Sequence, residues 1–310
     1  MFIVSKLKAV LQRISDILQY GYSVESSMMI LLIRSRKPED FETKILNKMA
    51  RDREPKLRIF ADKVLAREYV KKLTGDEFIS EYFEVHQDLN EFKTTAVPNN
   101  IVIKSNHGSG AMIIIQEYNM VENPIVISSA KNDWERYVTN SKNVTWDEIE
   151  SVTNKWMNQS YFWNYGKYPE WAYRNIQPKI IFEEVMLCNG DLPIDYKFYM
   201  LHGKCEFIHV DINRFGVHKR NLYDHNFDPI HSEYRYPTSS FEIEKPEEFK
   251  VMIDLAKVLS RESDFLRVDL YETNKGVRFG ELTNYPEGGK MGISDRLFSR
   301  EIASRWHQNY

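Results

Sequence analysis

Phe265 to Gly289 reads FLRVDLYETNKGVRFGELTNYPEGG, and the reading of this stretch decides the fold. Two short apolar runs, 266–271 and 277–282, flank Glu272-Thr273-Asn274-Lys275-Gly276, an Asn/Gly type of turn, so the segment predicts a β-hairpin. Asp269 interrupts the first run and Glu281 ends the second. Strand alternation lets both carboxylates share one face of adjacent antiparallel strands. Like charges that close stay ionised together when a cation lies between them. Paired hard oxygen donors suit Mg²⁺, which keeps waters and is completed by substrate phosphates. Thr283 and Asn284 follow within reach. Spacing alone fits equally well two ordinary carboxylates on the solvent face of a hairpin.

A second landmark lies upstream, at Val97 to Ile115, VPNNIVIKSNHGSGAMIII. An apolar strand ending at Lys104 runs into Ser105-Asn106-His107-Gly108-Ser109-Gly110 and then into the run Met112 to Ile115. Strand, glycine loop, strand is the layout of a flap that closes backbone N–H groups over phosphates, since glycine lets the main chain approach an anion. The loop lacks the Gly-Lys-Ser/Thr of a Walker motif, and Ile113 stands where a dinucleotide fingerprint needs its third glycine. Upstream again, Arg58 to Leu73 has helical apolar spacing, and Asp62-Lys63 lies near its start. A lysine there opposes the helix dipole unless an anion pairs with it; a solvated helix lysine is the plain alternative.

Downstream, PKIIFEEV (178–185) predicts a buried strand ending in Glu183 and Glu184, followed by Met186. Asp195-Tyr196-Lys197-Phe198-Tyr199 starts another strand, which turns at His202-Gly203-Lys204 into 206–211. Asn213-Arg214 and His218-Lys219-Arg220 concentrate cationic side chains, compatible with a solvated loop or with phosphate and carboxylate binding. Between residues 156 and 173 eight aromatics crowd together: Trp156, Tyr161, Phe162, Trp163, Tyr165, Tyr168, Trp171 and Tyr173. They suit core or lid packing, or else a carbohydrate platform. Helical spacing recurs over 2–18, 27–49, 246–260 and 294–306.

Composition narrows the classes. With 310 residues, 42% hydrophobic and 28% charged, the chain builds a real core. A formal charge of −3 offers no electrostatic case for nucleic acid. Cys188 and Cys205, with no Cys-x-x-Cys and no His-Glu-x-x-His, argue against structural zinc or a disulfide framework and fit a reducing compartment. No apolar run is long enough to span a bilayer, so a cytoplasmic protein is expected. The amphipathic stretch 2–18 fits docking on its own domain, or a peripheral contact with a membrane's inner face or with an assembly partner.

An Asp on one strand followed by Gly-Glu-x-Thr-x-x-Pro-x-x-Gly on the next resembles the metal end of ATP-grasp ligases. RVDLY…GELTNYPEGG looks like the TupA-like branch. The resemblance runs through four ordered motifs from about Lys56 to Gly289. It implies an α+β ATP-grasp fold with a mostly antiparallel core sheet, a glycine-loop lid subdomain and a short helical N-terminal segment. The expected divisions are 1–55, a reduced pre-ATP-grasp region, 56–182, the lid subdomain, and 183–310, the core with the metal site. By resemblance Asp269 and Glu281 hold Mg²⁺ against ATP. The family often has Asn two residues after that Glu; here Thr283 takes that place and Asn284 comes one later, so either completes the shell.

The same resemblance brings Lys63 and Lys104 to the phosphates, with His107, Gly108, Ser109 and Gly110 as the closing loop. Glu183, Glu184 and Met186 are expected at the adenine, Asp195 at the ribose, and Lys197 at phosphate or substrate. Arg214, Lys219 and Arg220 are the candidates for holding a developing acyl phosphate. The implied activity is ATP-dependent ligation of a carboxylate to an amine. A sugar-linked carboxylate of the uronic acid type and an amino acid or amine are the expected substrates, in surface polysaccharide assembly. Two rivals are a glycosyltransferase, against which stands the absence of any Asp-x-Asp, and a silent nucleotide-binding protein.

Overall fold

Where helical spacing is interrupted by Pro or by a capping Asp, the chain breaks. The computed structural model describes residues 24–116, 134, 136–164, 168–212, 217–241 and 243–310. The predicted helix over 2–18, Tyr165 and the site candidate Arg214 therefore lie outside the described residues. The stretch 27–49 forms two helices, α1 (Val24–Arg34) and α2 (Phe41–Arg51), separated at Lys37-Pro38. Asp40 caps α2 through a capping box with Thr43. The single helix expected over 58–73 is also two, α3 (Lys56–Ala61) and α4 (Lys63–Thr74). Asp62 sits between them in extended conformation and accepts a hydrogen bond from Val64 N, an N-cap that periodicity alone does not reveal.

The first sheet is built from β1 (Phe83–His86), β2 (Ile101–Ser105), β3 (Met112–Ile115), β4 (Arg136–Thr139) and β5 (Ile180–Glu184), in the order β1-β5-β2-β3-β4. Only the β3–β4 pairing is parallel. Ile101, Ile103, Ile180 and Phe182 face the core with α5 (Trp146–Met157), whereas Val102 and Lys104 alternate to the other side. The short α6 (Tyr161–Asn164) follows. Of the aromatic cluster, Trp156, Tyr161, Phe162, Tyr168 and Tyr173 are buried in this core, so for them the packing alternative holds. Strand β5 crosses the expected division at 182/183 and belongs wholly to this sheet.

The second sheet holds six strands, in the order β11-β10-β6-β7-β8-β9. They are β6 (Asp195–Leu201), β7 (Lys204–Ile212), β8 (Lys219–Tyr223), β9 (Pro229–Ile230), β10 (Phe265–Thr273) and β11 (Gly276–Thr283), all paired antiparallel. One face carries Tyr196, Phe198, Met200, Ile208, Val210, Leu266, Val268 and Leu270, packed with α4 and with α7 (Phe249–Ser260). The opposite face changes character along its length. Tyr199, Phe207 and Phe265 close around Phe41 of α2 and Trp306, which follows α8 (Arg296–Arg305). Farther along the same strands, that face becomes charged.

The glycine loop is anchored rather than free. Asn106 donates to Asp62 Oδ1 (3.1 Å) and to Gln177 O (3.1 Å), and its Oδ1 accepts from Lys179 N (2.7 Å). Gly108, at φ +118°, packs between the rings of Trp134 and Tyr161, where an added Cβ would come within 2.6 and 2.8 Å of ring carbons. Gly108→Ala is therefore expected to destabilise the fold by about 1–3 kcal/mol through overpacking and backbone strain, measured by urea unfolding. An unchanged midpoint would show that the rings yield freely.

Candidate active site

Residues 267 and 269 on β10, 195 and 197 on β6, and 281 and 283 on β11 point to one face, because each pair is two apart and the registers align them. Asp269 lies directly opposite both Glu281 and Lys197. A bulge between Asp269 and Leu270 shifts the alternation on β11, so that Val277, Phe279 and Leu282 face the core while Glu281 and Thr283 face the charged row. The acids thus meet by tertiary register, as the hairpin pattern anticipates.

Cations already interleave them. Arg267 grips Asp269 with two 2.7 Å hydrogen bonds, and Lys197 Nζ reaches Asp269 Oδ2 at 2.9 Å and is bonded to Asp195. Burial and the neighbouring Asp195 push the Asp269 carboxyl up, with Arg267 and Lys197 opposing the rise. Burial also works against the Arg267 charge, and Asp269 more than restores it, so this guanidinium stays charged at every working pH. Arg267 carries no signal by itself in the sequence. Its position two residues before Asp269, on the same strand face, is the clue that periodicity offers.

Glu281 is the less enclosed acid. Its side chain is 26% exposed, with Lys63 Nζ at 3.5 Å and Arg267 at 3.7 Å. Burial tends to raise its pKa, and Lys63 and Arg267 outweigh that and lower it. Lys63, the first residue of α4, also donates to Gly108 O at 2.5 Å, so the glycine loop is tied to the helix start. Burial lowers the Lys63 pKa, Glu281 opposing and Lys104 adding to the fall. Lys104 is ion-paired with Glu183 across the first sheet.

Lys63, Lys104, Glu183 and Glu281, with Phe60, Arg67, Phe83 and Phe279, line one cleft bounded by both sheets. Lys63 and Lys104, expected at the phosphates, and Glu281, expected at the metal and 177 positions from Lys104, are thereby brought to a single opening.

The other predicted residues divide. Ser109 is exposed at the loop tip and Gly110 has φ +95°. The His107 ring is spent internally, on Ser105, Asn106 Oδ1 and the carbonyls of Trp156 and Gln159, so it anchors the loop. Glu184 turns to Lys275 and to Glu81 N, and Met186 lies in the loop after β5. Asp195 is buried beneath Lys197. Lys219 pairs with Ile212 at the end of β8. Arg220 is committed elsewhere, to Asp211 (2.8 Å), Glu287 (3.0 Å) and Tyr234 O (3.2 Å), an internal clamp rather than an open phosphate ligand.

Whether these residues suit a divalent ion is tested by their oxygens. Thr283 Oγ1 and Asn284 Oδ1 are buried with no hydrogen-bond partner. Thr283 shares the face of Glu281, opposite Arg267, whereas the Asn284 amide nitrogen donates to Leu57 O on α3 (2.7 Å). Among the described residues no three His, Cys, Asp or Glu side chains converge. The oxygens that could hold Mg²⁺, with phosphate oxygens and water completing the shell, are those of Glu281, the Thr283 hydroxyl and Asp269, whose own oxygens accept from Arg267 and Lys197.

The sequence model of the TupA-like ATP-grasp family matches residues 43–305, and the chain belongs to that family. Nothing among curated protein sequences matches it. Solved structures similar to it include D-alanine–D-alanine ligase from Bacillus anthracis, at 15% identity, covering 73% of this chain and 57% of that one, TM-score 0.37. Phosphoribosylamine–glycine ligase from Thermotoga maritima is similar at 14% identity, covering 73% and 48%, TM-score 0.39. The chain thus spans less than two thirds of either structure's length. Among the described residues no helix is long and apolar enough to cross a membrane.

Proposed function

We propose that this protein is an ATP-dependent carboxylate–amine ligase working through an acyl phosphate. The observation that carries the reading is the single cleft joining Lys63 and Lys104 to Glu281, with Asp269 and Arg267 behind it, in a chain of the ATP-grasp family. Lys63 and Lys104 hold the phosphates of ATP as ground-state ligands. Mg²⁺ bound by Asp269, Glu281 and Thr283 would supply charge neutralisation at the transferred phosphoryl group. Arg267, at the edge of the acid pair, takes the role of steadying the charge that develops as carboxylate oxygen attacks the γ-phosphorus. Arg220, by its internal clamp, serves positioning instead.

For substrates we propose a sugar-linked carboxylate of the uronic acid type and an amino acid or amine, in surface polysaccharide assembly inside the cell. The family likeness supports this class. Arg214 and Lys219 remain candidates for its carboxylate, and the segment 2–18 for contact with a membrane or an assembly.

The test is hydroxylamine trapping over a panel of uronic and other sugar acids. With Mg²⁺, ATP and the right acid, a hydroxamate is expected together with stoichiometric ADP and phosphate, because attack at the γ-phosphorus leaves ADP. AMP as product, or sugar transfer without ATP, would overturn the ligase reading.

A further inference from the structure

We propose that Glu170 is the base that takes a proton from the incoming amine, an inference that rests on the ligase reading above. Glu170 precedes the single 3-10 turn Trp171–Tyr173, which packs on α3. That turn is held firmly. The guanidinium carbons of Arg53 and Arg58 lie 5.3 and 4.9 Å from the centroid of the Trp171 ring, and Tyr173 is buried. The turn therefore presents its first carboxylate in a fixed place.

That place is beside the metal hairpin. A Cβ built on Gly288 would lie 3.5 Å from Glu170 Oε1, so the carboxylate rests against the backbone of the turn Pro286–Gly289, a few residues beyond Glu281 and Thr283. Tyr173, in the same turn, senses both Glu281 and Arg267. Glu170 is half-buried and so reachable from outside. No described residue donates a hydrogen bond to its side chain or pairs with it directly; the charged groups that face it, Lys290 and Glu281, act on it only through space. An acid recessed against the loop of the reaction centre, with no partner among the described residues, is a structural expense unless it serves something that enters.

Its environment suits proton transfer from an ammonium. Burial raises the Glu170 carboxyl to about 8, with Lys290 opposing and Glu281 adding to the rise. A base in that range matches the protonation of amines near neutral pH better than an ordinary carboxylate does. The step balances simply. The Glu170 carboxylate takes one proton from the ammonium and so frees the nitrogen lone pair, which forms the C–N bond at the acyl carbon; the C–O bond to phosphate breaks, and the phosphate leaves with that electron pair and takes up the second N–H proton.

Glu170→Gln tests this. Hydroxylamine is unprotonated at neutral pH and needs no base, whereas glycine and simple alkylamines arrive as ammonium ions. With the acid identified by trapping, the variant is expected to lose amide formation with the amine panel by about 100-fold more than hydroxamate formation. The rise of wild-type amidation around pH 8 should vanish in the variant, with Glu170→Asp restoring part of it. Amide and hydroxamate falling together would assign Glu170 a structural role and overturn the proposal, as would unchanged amidation, or a wild type that makes hydroxamate but no amide. A wild type that makes neither hydroxamate nor ADP defeats the ligase reading itself, which keeps the two failures apart.

Discussion

Glu281→Gln is expected to lower ATP-dependent turnover by about 10²–10³-fold while leaving the melting temperature nearly unchanged. The substitution removes one charge and almost no volume. In the folded protein Glu281 is only loosely held, at 3.5 Å from Lys63 and 3.7 Å from Arg267. Each cation keeps a second, closer partner: Lys63 has Gly108 O, and Arg267 has the Asp269 fork. Neither is therefore left unpaired, and the stability change should stay within about 1 kcal/mol, as for other exposed or loose pairs.

The charge proposed to hold the metal has no such substitute. Nucleotide affinity reports on other groups, so Lys104→Ala should weaken ATP binding where Glu281→Gln mainly slows formation of ADP. Single-turnover kinetics and calorimetric titration separate the two. Wild-type turnover by Glu281→Gln at saturating Mg²⁺ would remove the proposed metal site.

Arg220→Ala is expected to cost about 1.5–3 kcal/mol of stability, because it removes charge-assisted hydrogen bonds to two buried acids, which keep His218, His209 and Arg235 beside them. Asp211 and Glu287 are both nearly inaccessible, and Arg220 lies between them at 2.8 and 3.0 Å. Burial works to raise the Asp211 carboxyl, yet His209, His218 and Lys197 hold it far below the usual range. Burial likewise works on Glu287, and Arg220 with Arg235 outweighs it and brings it to about 2.

The sign follows from that depression. A carboxyl ordinarily near 4.5 and held at about 2 in the fold stabilises the protein fully above the first value. It loses that stabilisation as pH falls toward the second. Wild-type stability should therefore decline between those limits, and the decline should flatten in Arg220→Ala, in urea titrations across acid pH. Glu287 sits in the turn after β11, so the same variant should also loosen the loop that borders the acids. A wild-type unfolding midpoint in Arg220→Ala would refute the clamp.

Much of this was legible from the chain alone. The hairpin 265–283, with Asp269 opposite Glu281, follows from two apolar runs around an Asn/Gly turn, because the period of a strand fixes which side chains share a face. The hairpin of β6 and β7 and the helices 249–260 and 296–305 are read the same way. Residue types named the lysines and acids. Arg267 is silent in the sequence, since an arginine inside an apolar run announces no role until its neighbours across three strands are known. Arg220 looks like an open ligand in the sequence for the converse reason: its partners, Asp211 and Glu287, lie 9 and 67 positions away.

Local order follows from the chain alone: which segments become strands and helices, where glycine frees the backbone, and which side chains carry chemistry. Periodicity and turn chemistry act within a few residues, and they suffice for that. Only the tertiary structure decided which charges are spent on one another and which face the cleft. Asp62 breaks a helix so that the glycine loop can dock, a bulge on β11 at Gly280 turns Glu281 and Thr283 toward Arg267, and the turn at 171–173 brings Glu170 against Gly288. Each depends on register and packing between distant segments, where burial sets the worth of a charge by what lies beside it in space.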